Sequence, residues 1–137
     1  MNRKKIWIAL IALVIIALAT AYYKLNKPVS DVSDLEPDFK MTPQELLGAY
    51  ETNEVQADSL YLGKIIEMTG LVSNVDTAGS TISLETGSMM SVISCEISED
   101  YKQKLSTISA GDKVEVKGEC AGFLMDVVLK RGSVEAK

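Results

Sequence analysis

Apolar and polar residues alternate over most of the chain beyond residue 60. The pattern is longest from Tyr61 to Val75, YLGKIIEMTGLVSNV. Ile66, Met68 and Val72 fall on one side of a period-two ladder, and Glu67, Thr69 and Ser73 on the other. This predicts a strand with one buried face. Gly70 interrupts the ladder, and Ile65, Leu71 and Val75 lie on its nominally outer side. The facing is therefore expected to shift near Gly70, at a bulge or sharp coil. A strand bent there can serve two sheet edges, as a small closed barrel requires. The plainer alternative is an edge strand that tolerates a glycine.

Four further strands follow from the same pattern. Asp76-Thr-Ala-Gly79 is a turn signal. Ser80–Thr86 points Ile82 and Leu84 inward, with Thr81, Ser83 and Glu85 outward. After Gly87-Ser88, Met89–Ile97 points Ile93, Cys95 and Ile97 inward, with Val92, Ser94 and Glu96 outward. Ser98, with Glu99 and Asp100 behind it, opens a helix. Tyr101, Leu105 and Ile108 form its buried stripe, and Gly111 stops it. Asp112–Cys120 alternates cleanly, with Val114, Val116, Gly118 and Cys120 inward. Ala121–Leu124 is a loop or tight hairpin, and Met125–Leu129, with Val134 later, forms the last strand.

The N-terminal third has a different texture. Ile6–Tyr23 is apolar apart from Thr20 and two terminal tyrosines, and as a helix it spans about 27 Å, near the thickness of a bilayer core. Arg3, Lys4 and Lys5 precede it and favour a cytoplasmic N-terminus. Residues 1–23 are thus expected to anchor the chain in a membrane, with contact through residues 6–23. The remainder is expected outside the cytoplasm, in the periplasm if the envelope has two membranes. Ala19-Thr20-Ala21 leaves a cleaved signal peptide as the alternative. Residues 24–41 have linker composition, with two prolines, two serines and four acids. Thr42-Pro-Gln-Glu45 then opens a short helix with Leu46, Leu47 and Tyr50 on its apolar face, expected to cover one barrel end. Residues 42–137 make up the folded domain.

Charge narrows the function. Residues 1–27 carry five bases and no acid, whereas residues 28–137 carry all 19 acids and nine bases, a net charge of −10. Such a domain repels phosphate backbones. There is no histidine, so the commonest general base and a common metal ligand are missing. No CxxC pair and no phosphate-cradling glycine loop occurs. Neither a catalytic set, nor a metal site, nor a cofactor is expected. The acids read as solvated surface, and Asp126, among apolar residues, as a turn or strand-end cap.

Three strands, a helix and two strands, the first bent at a glycine, predict a mainly β fold. It is a five-stranded Greek-key barrel of the oligonucleotide/oligosaccharide-binding (OB) type. The chain resembles the tRNA_anti-like OB-fold proteins of bacterial envelopes. The resemblance lies in Asn53-Glu54-Val55, Ala57-Asp58, Tyr61–Lys64 and Gly70–Val72. It continues in Gly111–Val114, Val116–Gly118, Cys120 and Asp126-Val127. It covers roughly residues 42–134. A further cysteine near the end of the last strand, frequent in that family, is replaced here by Lys130-Arg-Gly-Ser-Val134. The family's name implies likeness to tRNA-binding domains.

Two residue sets remain. Cys95 and Cys120 both point inward and, outside the cytoplasm, are candidates for a disulfide. Closing that 25-residue interval would add about 3 kcal/mol. The alternative is two small buried hydrophobes. The usual ligand face of an OB barrel is the outer side of its second and third strands, where single-strand binders carry aromatics and cations. Here that face offers Thr81, Ser83, Glu85, Val92, Ser94 and Glu96. Thr81, Ser83 and Ser94 are therefore candidate ligand contacts, with Phe123 and Leu124 at the last loop. The expected role is non-catalytic binding of a protein or envelope ligand such as a glycan. A nucleic-acid-binding OB protein is the alternative that the resemblance implies.

Overall fold

The computed structural model describes residues 2–26 and 32–137. The chain forms two compact units, Met1–Ser30 and Asp31–Lys137. In the first, helix α1 runs from Arg3 to Leu25. Between Ile6 and Tyr23 its side chains are apolar on every face apart from Thr20 and the two tyrosines, and none of the helix is buried. The Thr20 hydroxyl donates to the carbonyls of Ile16 and Ala17, both at 2.9 Å, so even this polar group is satisfied within the helix. α1 is long and apolar enough to cross a membrane, a test that a signal sequence also passes.

The second unit is a closed barrel. Its strands are β2 (Ile65–Asp76), β3 (Thr81–Leu84), β4 (Ile93–Ile97), β5 (Lys113–Phe123) and β6 (Val127–Ala136), with a two-residue β1 (Phe39–Lys40) alongside. The ring runs β2-β3-β4-β6-β5 and returns to β2. All contacts in the ring are antiparallel except β4–β6, which is parallel.

The long strand divides its partners as the alternation predicted. Ile65–Leu71 pairs with β5, and Val72–Asp76 pairs with β3. Ile66, Met68 and Val72 are buried to 1% exposure or less. The irregularity, however, lies between Val72 and Asn74, beyond Gly70. Gly70 serves a close approach instead: a Cβ there would come within 2.8 Å of the Pro43 ring. The glycine lets the first turn of the next helix press on the strand.

That helix, α2 (Pro43–Thr52), starts with a complete capping box. The Glu45 N–H donates to the Thr42 hydroxyl, and the Thr42 N–H to the Glu45 carboxylate. Leu46, Leu47 and Tyr50 enter the barrel core. A second helix, α3 (Glu54–Tyr61), precedes the long strand and takes only Tyr61 from the stretch that periodicity assigned to it. Asn53 caps it by accepting the Gln56 N–H at 3.1 Å. On the other side of β4, a single 3₁₀ turn at Glu99–Tyr101 leads into α4 (Lys102–Leu105). Leu105 and Ile108 are buried in the core as expected, but the helix ends at Leu105, short of Ile108 and Gly111, and Tyr101 is only half-buried. Ser98 precedes this turn but makes no capping bond.

The expected linker 24–41 gives way to packed structure at Val32. Residues 27–31 of that expectation lie outside the described residues. Val32 is fully buried in a 3₁₀ turn, Val32–Asp34. The Lys117 ammonium donates to the carbonyls of Ser33 and Leu35, each at 3.2 Å. Asp38 grips β2 twice: its carboxylate accepts the Ile65 N–H and its own N–H donates to the Ile65 carbonyl, both at 2.8 Å. Phe39 meets the Tyr61 ring edge-on at 5.0 Å. Composition hid this segment because few residues carry the contact and two of them use the backbone.

The last strand is also longer than the pattern indicated. Between Lys117 and Glu119 the pairing of β5 with β6 shifts, so that Arg131 and Gly132 together face Gly118. Arg131 takes φ +53°, and this bulge breaks the alternation that periodicity relies on. A Cβ on Gly132 would lie 2.5 Å from the Cys95 sulfur and 3.2 Å from the Glu96 carbonyl oxygen. Gly132→Ala is therefore expected to destabilise the barrel by about 1–3 kcal/mol, as overpacked cores do. Adding Cys95→Ala should restore part of that loss. Urea titration of Cys120 thiol labelling measures both, since that thiol is exposed only on unfolding. Equal losses in the single and double variants would exclude the steric account.

Candidate functional site

β3 and β4 form the outer face on which an OB barrel commonly receives its ligand. Register sets Ser83 directly opposite Ser94 and Thr81 opposite Glu96. The structure thus brings three of the sequence-predicted contacts, Thr81, Ser83 and Ser94, onto one surface. All three are half-buried, and Glu85 and Glu96 beside them are exposed. The Thr81 hydroxyl already donates to the Gly79 carbonyl at 3.2 Å, and the Ser83 carbonyl accepts from the Ser73 hydroxyl at 3.2 Å. Cross-strand hydroxyls of this kind can bond a sugar or a peptide edge.

At one margin of the face, a cleft of about 370 Å³ is bordered by Ser80, Glu96, Ser98, Glu99, Lys102 and Arg131. Sequence reasoning missed this cleft, because its two cations come from α4 and the β6 bulge. Both cations are already matched, Lys102 by Glu99 and Arg131 by Glu119. The Ser98 hydroxyl is buried there with no hydrogen-bond partner.

The other predicted contacts separate. Phe123 folds back and stacks on Tyr50, with ring centroids 5.8 Å apart. Leu124 stays 88% exposed, next to Met125 at 82%. Facing them, the loop before β4 exposes Met89 at 103% and Met90 at 92%. Strand periodicity had continued β4 back to Met89, but the strand starts at Ile93. The loop closes on itself, the Thr86 hydroxyl donating to the Ser91 carbonyl at 2.6 Å. It is tied to the β5–β6 hairpin by Ser91, whose hydroxyl donates to the Met125 carbonyl at 3.3 Å, and by the Val92 N–H, which donates to the Asp126 carboxylate at 2.9 Å. Asp126 is thus the end cap that its apolar surroundings suggested.

The disulfide expectation needs correcting. Cys95 and Cys120 are free thiols, both buried. Leu129 of β6 is the register partner of each. A whole strand therefore stands between the cysteines, two interstrand spacings of about 4.8 Å. That exceeds the roughly 7 Å between Cα atoms beyond which a bridge needs backbone movement. Cys95 instead sits against the positions of Gly118 and Gly132. The Cys120 sulfur lies 3.3 Å from the Tyr50 hydroxyl. Burial, chiefly, pushes the Cys95 thiol well above its ordinary range, with Glu96 adding to the effect. Burial also pushes the Tyr50 hydroxyl up, with Cys120 and Asp58 contributing. Asp58 Oδ1 is itself buried without a hydrogen-bond partner. The Tyr50–Cys120 contact ties α2 to β5, and these polar atoms are closed to solvent. Among the described residues, no three His, Cys, Asp or Glu side chains converge to hold a metal.

Strand order, the parallel β4–β6 pair and the helix before β5 define an OB-fold barrel. The chain belongs to the tRNA_anti-like family, which it matches over residues 1–134. No curated protein matches it. Among solved structures it is similar to a candidate nucleic acid-binding lipoprotein from Klebsiella pneumoniae. Identity there is 17%, the TM-score is 0.56, and the match covers 79% of this chain and 98% of that one. It is also similar to a chain of the S. pombe Stn1–Ten1 complex, at 20% identity and TM-score 0.44, covering 53% of this chain and 57% of that one. A third similarity is to Entamoeba histolytica asparaginyl-tRNA synthetase, at 14% identity and TM-score 0.41, covering 58% and 22%. Of these, the Klebsiella structure supports the fold.

The buried thiol has a pH signature. In the unfolded chain Cys95 ionises near its ordinary value of 9.0, while the folded chain keeps the proton. The unfolded state then binds fewer protons, so stability is full below pH 9 and falls as pH rises beyond it. The slope reaches at most about 1.4 kcal/mol per pH unit for one such group. Urea midpoints measured from pH 7 to 10.5 should decline above pH 9, and Cys95→Ala should flatten the first part of that decline.

Proposed function

We propose that this chain is a membrane-anchored, non-catalytic binding module whose OB domain lies outside the cytoplasm. It takes a protein or other envelope ligand, such as a glycan, on the hydroxyl-bearing face of β3 and β4. One observation carries the reading. That face presents Thr81, Ser83 and Ser94 flanked by the carboxylates of Glu85 and Glu96. Single-strand binders place stacking aromatics and phosphate-binding cations there. Arg3, Lys4 and Lys5 before α1 support the orientation. The lack of any histidine in the sequence supports a non-catalytic role.

Nucleic-acid binding is the second reading. It is favoured by the family's fold class and by the description of the Klebsiella lipoprotein. The domain's net charge of −10 weighs against it.

Two measurements test the proposal. Fluorescence anisotropy with single-stranded DNA and RNA oligonucleotides at low salt should show dissociation constants no tighter than about 10⁻⁴ M. Tighter binding that weakens as salt is added would move the assignment to nucleic acid. Protease treatment of intact cells or spheroplasts should digest residues 42–137 from outside. Protection of that domain would reverse the orientation.

A further inference from the structure

We propose that the two loop tips around Met89-Met90 and Leu124-Met125 form a shallow membrane-insertion surface, seated in the bilayer that α1 enters. The proposal rests on the membrane-anchored reading of α1 and adds a second lipid contact to it. Between residues 32 and 137, five large apolar side chains are more than 80% exposed, and four of them lie on these tips. The fifth, Val55, stands alone on α3.

The tips act as one surface because the Ser91 hydroxyl and the Val92 N–H tie the first loop to Met125 and Asp126. They are also uncharged. Residues 86–95 and 120–125 contain no Asp, Glu, Lys or Arg, in a domain whose net charge is −10. The charge nearest in sequence, Asp126, is turned back onto the Val92 N–H. Burying such a surface in lipid strands no charge, and apolar side chains at an interface reach about 5–10 Å into the headgroup and acyl boundary.

Lipid suits the tips better than a peptide does. A bound helix needs a groove and a bound strand needs a free edge. The cleft of about 400 Å³ between α2 and α3 and that of about 370 Å³ beside β4 are lined by other residues. β4 is paired on both sides, and β5 and β6 pair with each other as far as Phe123 and Val127. Chain length permits the contact. Residues 26–31 span at most roughly 25 Å between Leu25 and Val32. Lys117, which holds the Ser33 and Leu35 carbonyls, is six residues from the Phe123 end of β5, roughly 20 Å along the strand.

The test uses the full chain in phosphatidylcholine vesicles that carry a nitroxide on the acyl chain close to the headgroup. Met90→Cys and, separately, Leu124→Cys are labelled with a polarity-sensitive fluorophore. Cys95 and Cys120, at 0% and 1% exposure, stay unlabelled in the folded protein. Both probes should be quenched about twofold or more, whereas a probe at Val55→Cys should not be. Adding Met89→Asp and Met125→Asp should release the quenching at Met90→Cys. Quenching at Met90→Cys no greater than at Val55→Cys overturns the proposal. So does shielding that ignores the nitroxide and grows with protein density, which would indicate docking of a second copy. Trp7 of α1, excited in the same samples, reports the anchor itself. Unquenched Trp7 removes the anchored reading and the proposal together. Quenched Trp7 with unquenched tips removes the proposal alone.

Discussion

The barrel depends on one strand having two sets of partners. β2 uses Ile65–Leu71 to close the ring against β5 and Val72–Asp76 to begin it against β3. The core follows from this division. Ile66, Met68 and Val72 line the interior of both halves, so the side chains of β3 and β5 meet the same apolar row. The shift between Val72 and Asn74 lets the strand turn from one partner to the other without losing the ladder. Gly70, just before the shift, admits Pro43 and so couples the start of α2 to the point where the sheet bends. A five-stranded sheet this small cannot close without such a bend, because twist and coiling must accumulate over few strands.

Where each residue's role depended on its own neighbours in sequence, that role was legible. The inward positions Ile82, Leu84, Ile93, Cys95, Val114 and Val116 are all buried as alternation predicted. The Thr42 cap and the Leu46, Leu47 and Tyr50 face were equally local. α3 was not read, although Asn53 followed three residues later by Gln56 is itself a helix-start signal. The alternation read from Tyr61 also began too early, since the strand starts at Ile65. The packed segment from Val32 was hidden for a different reason. Asp38 and Lys117 act on backbone groups 27 and more than 80 residues away, and composition carries no trace of such contacts. Residues 130–133 failed to read as strand because the bulge at Arg131 and Gly132 breaks the two-residue period.

The cysteines show how two correct local readings can combine into a wrong pairing. Each thiol faces inward, as periodicity indicated. Whether they can join depends on what lies between them, and only strand order settles that. In this ring β6 separates β4 from β5, so Leu129 fills the place where a bridge would run. The space beside Cys95 is made by two glycines, Gly118 and Gly132. The sulfur therefore packs as a core atom, and the burial that makes it a good space-filler also keeps it protonated.

Electrostatics and shape divide the domain's surface in a way the fold alone does not. An OB barrel has a face and a set of loops available for binding, and the chemistry of each is set independently. Here the face carries hydroxyls and carboxylates, while the loops nearest it carry methionine and leucine with no charge between residues 86 and 95. A phosphate chain would have to cross the Glu85 and Glu96 carboxylates to lie on β3 and β4, with Lys102 and Arg131 at the margin already held by Glu99 and Glu119. To bind it, the barrel would have to break those pairs, and Phe123, stacked on Tyr50, and Tyr61, packed against Phe39, are already engaged. Phe39, Tyr50, Tyr61 and Phe123 pack on one another instead, where they hold α2, α3 and β1 to the barrel.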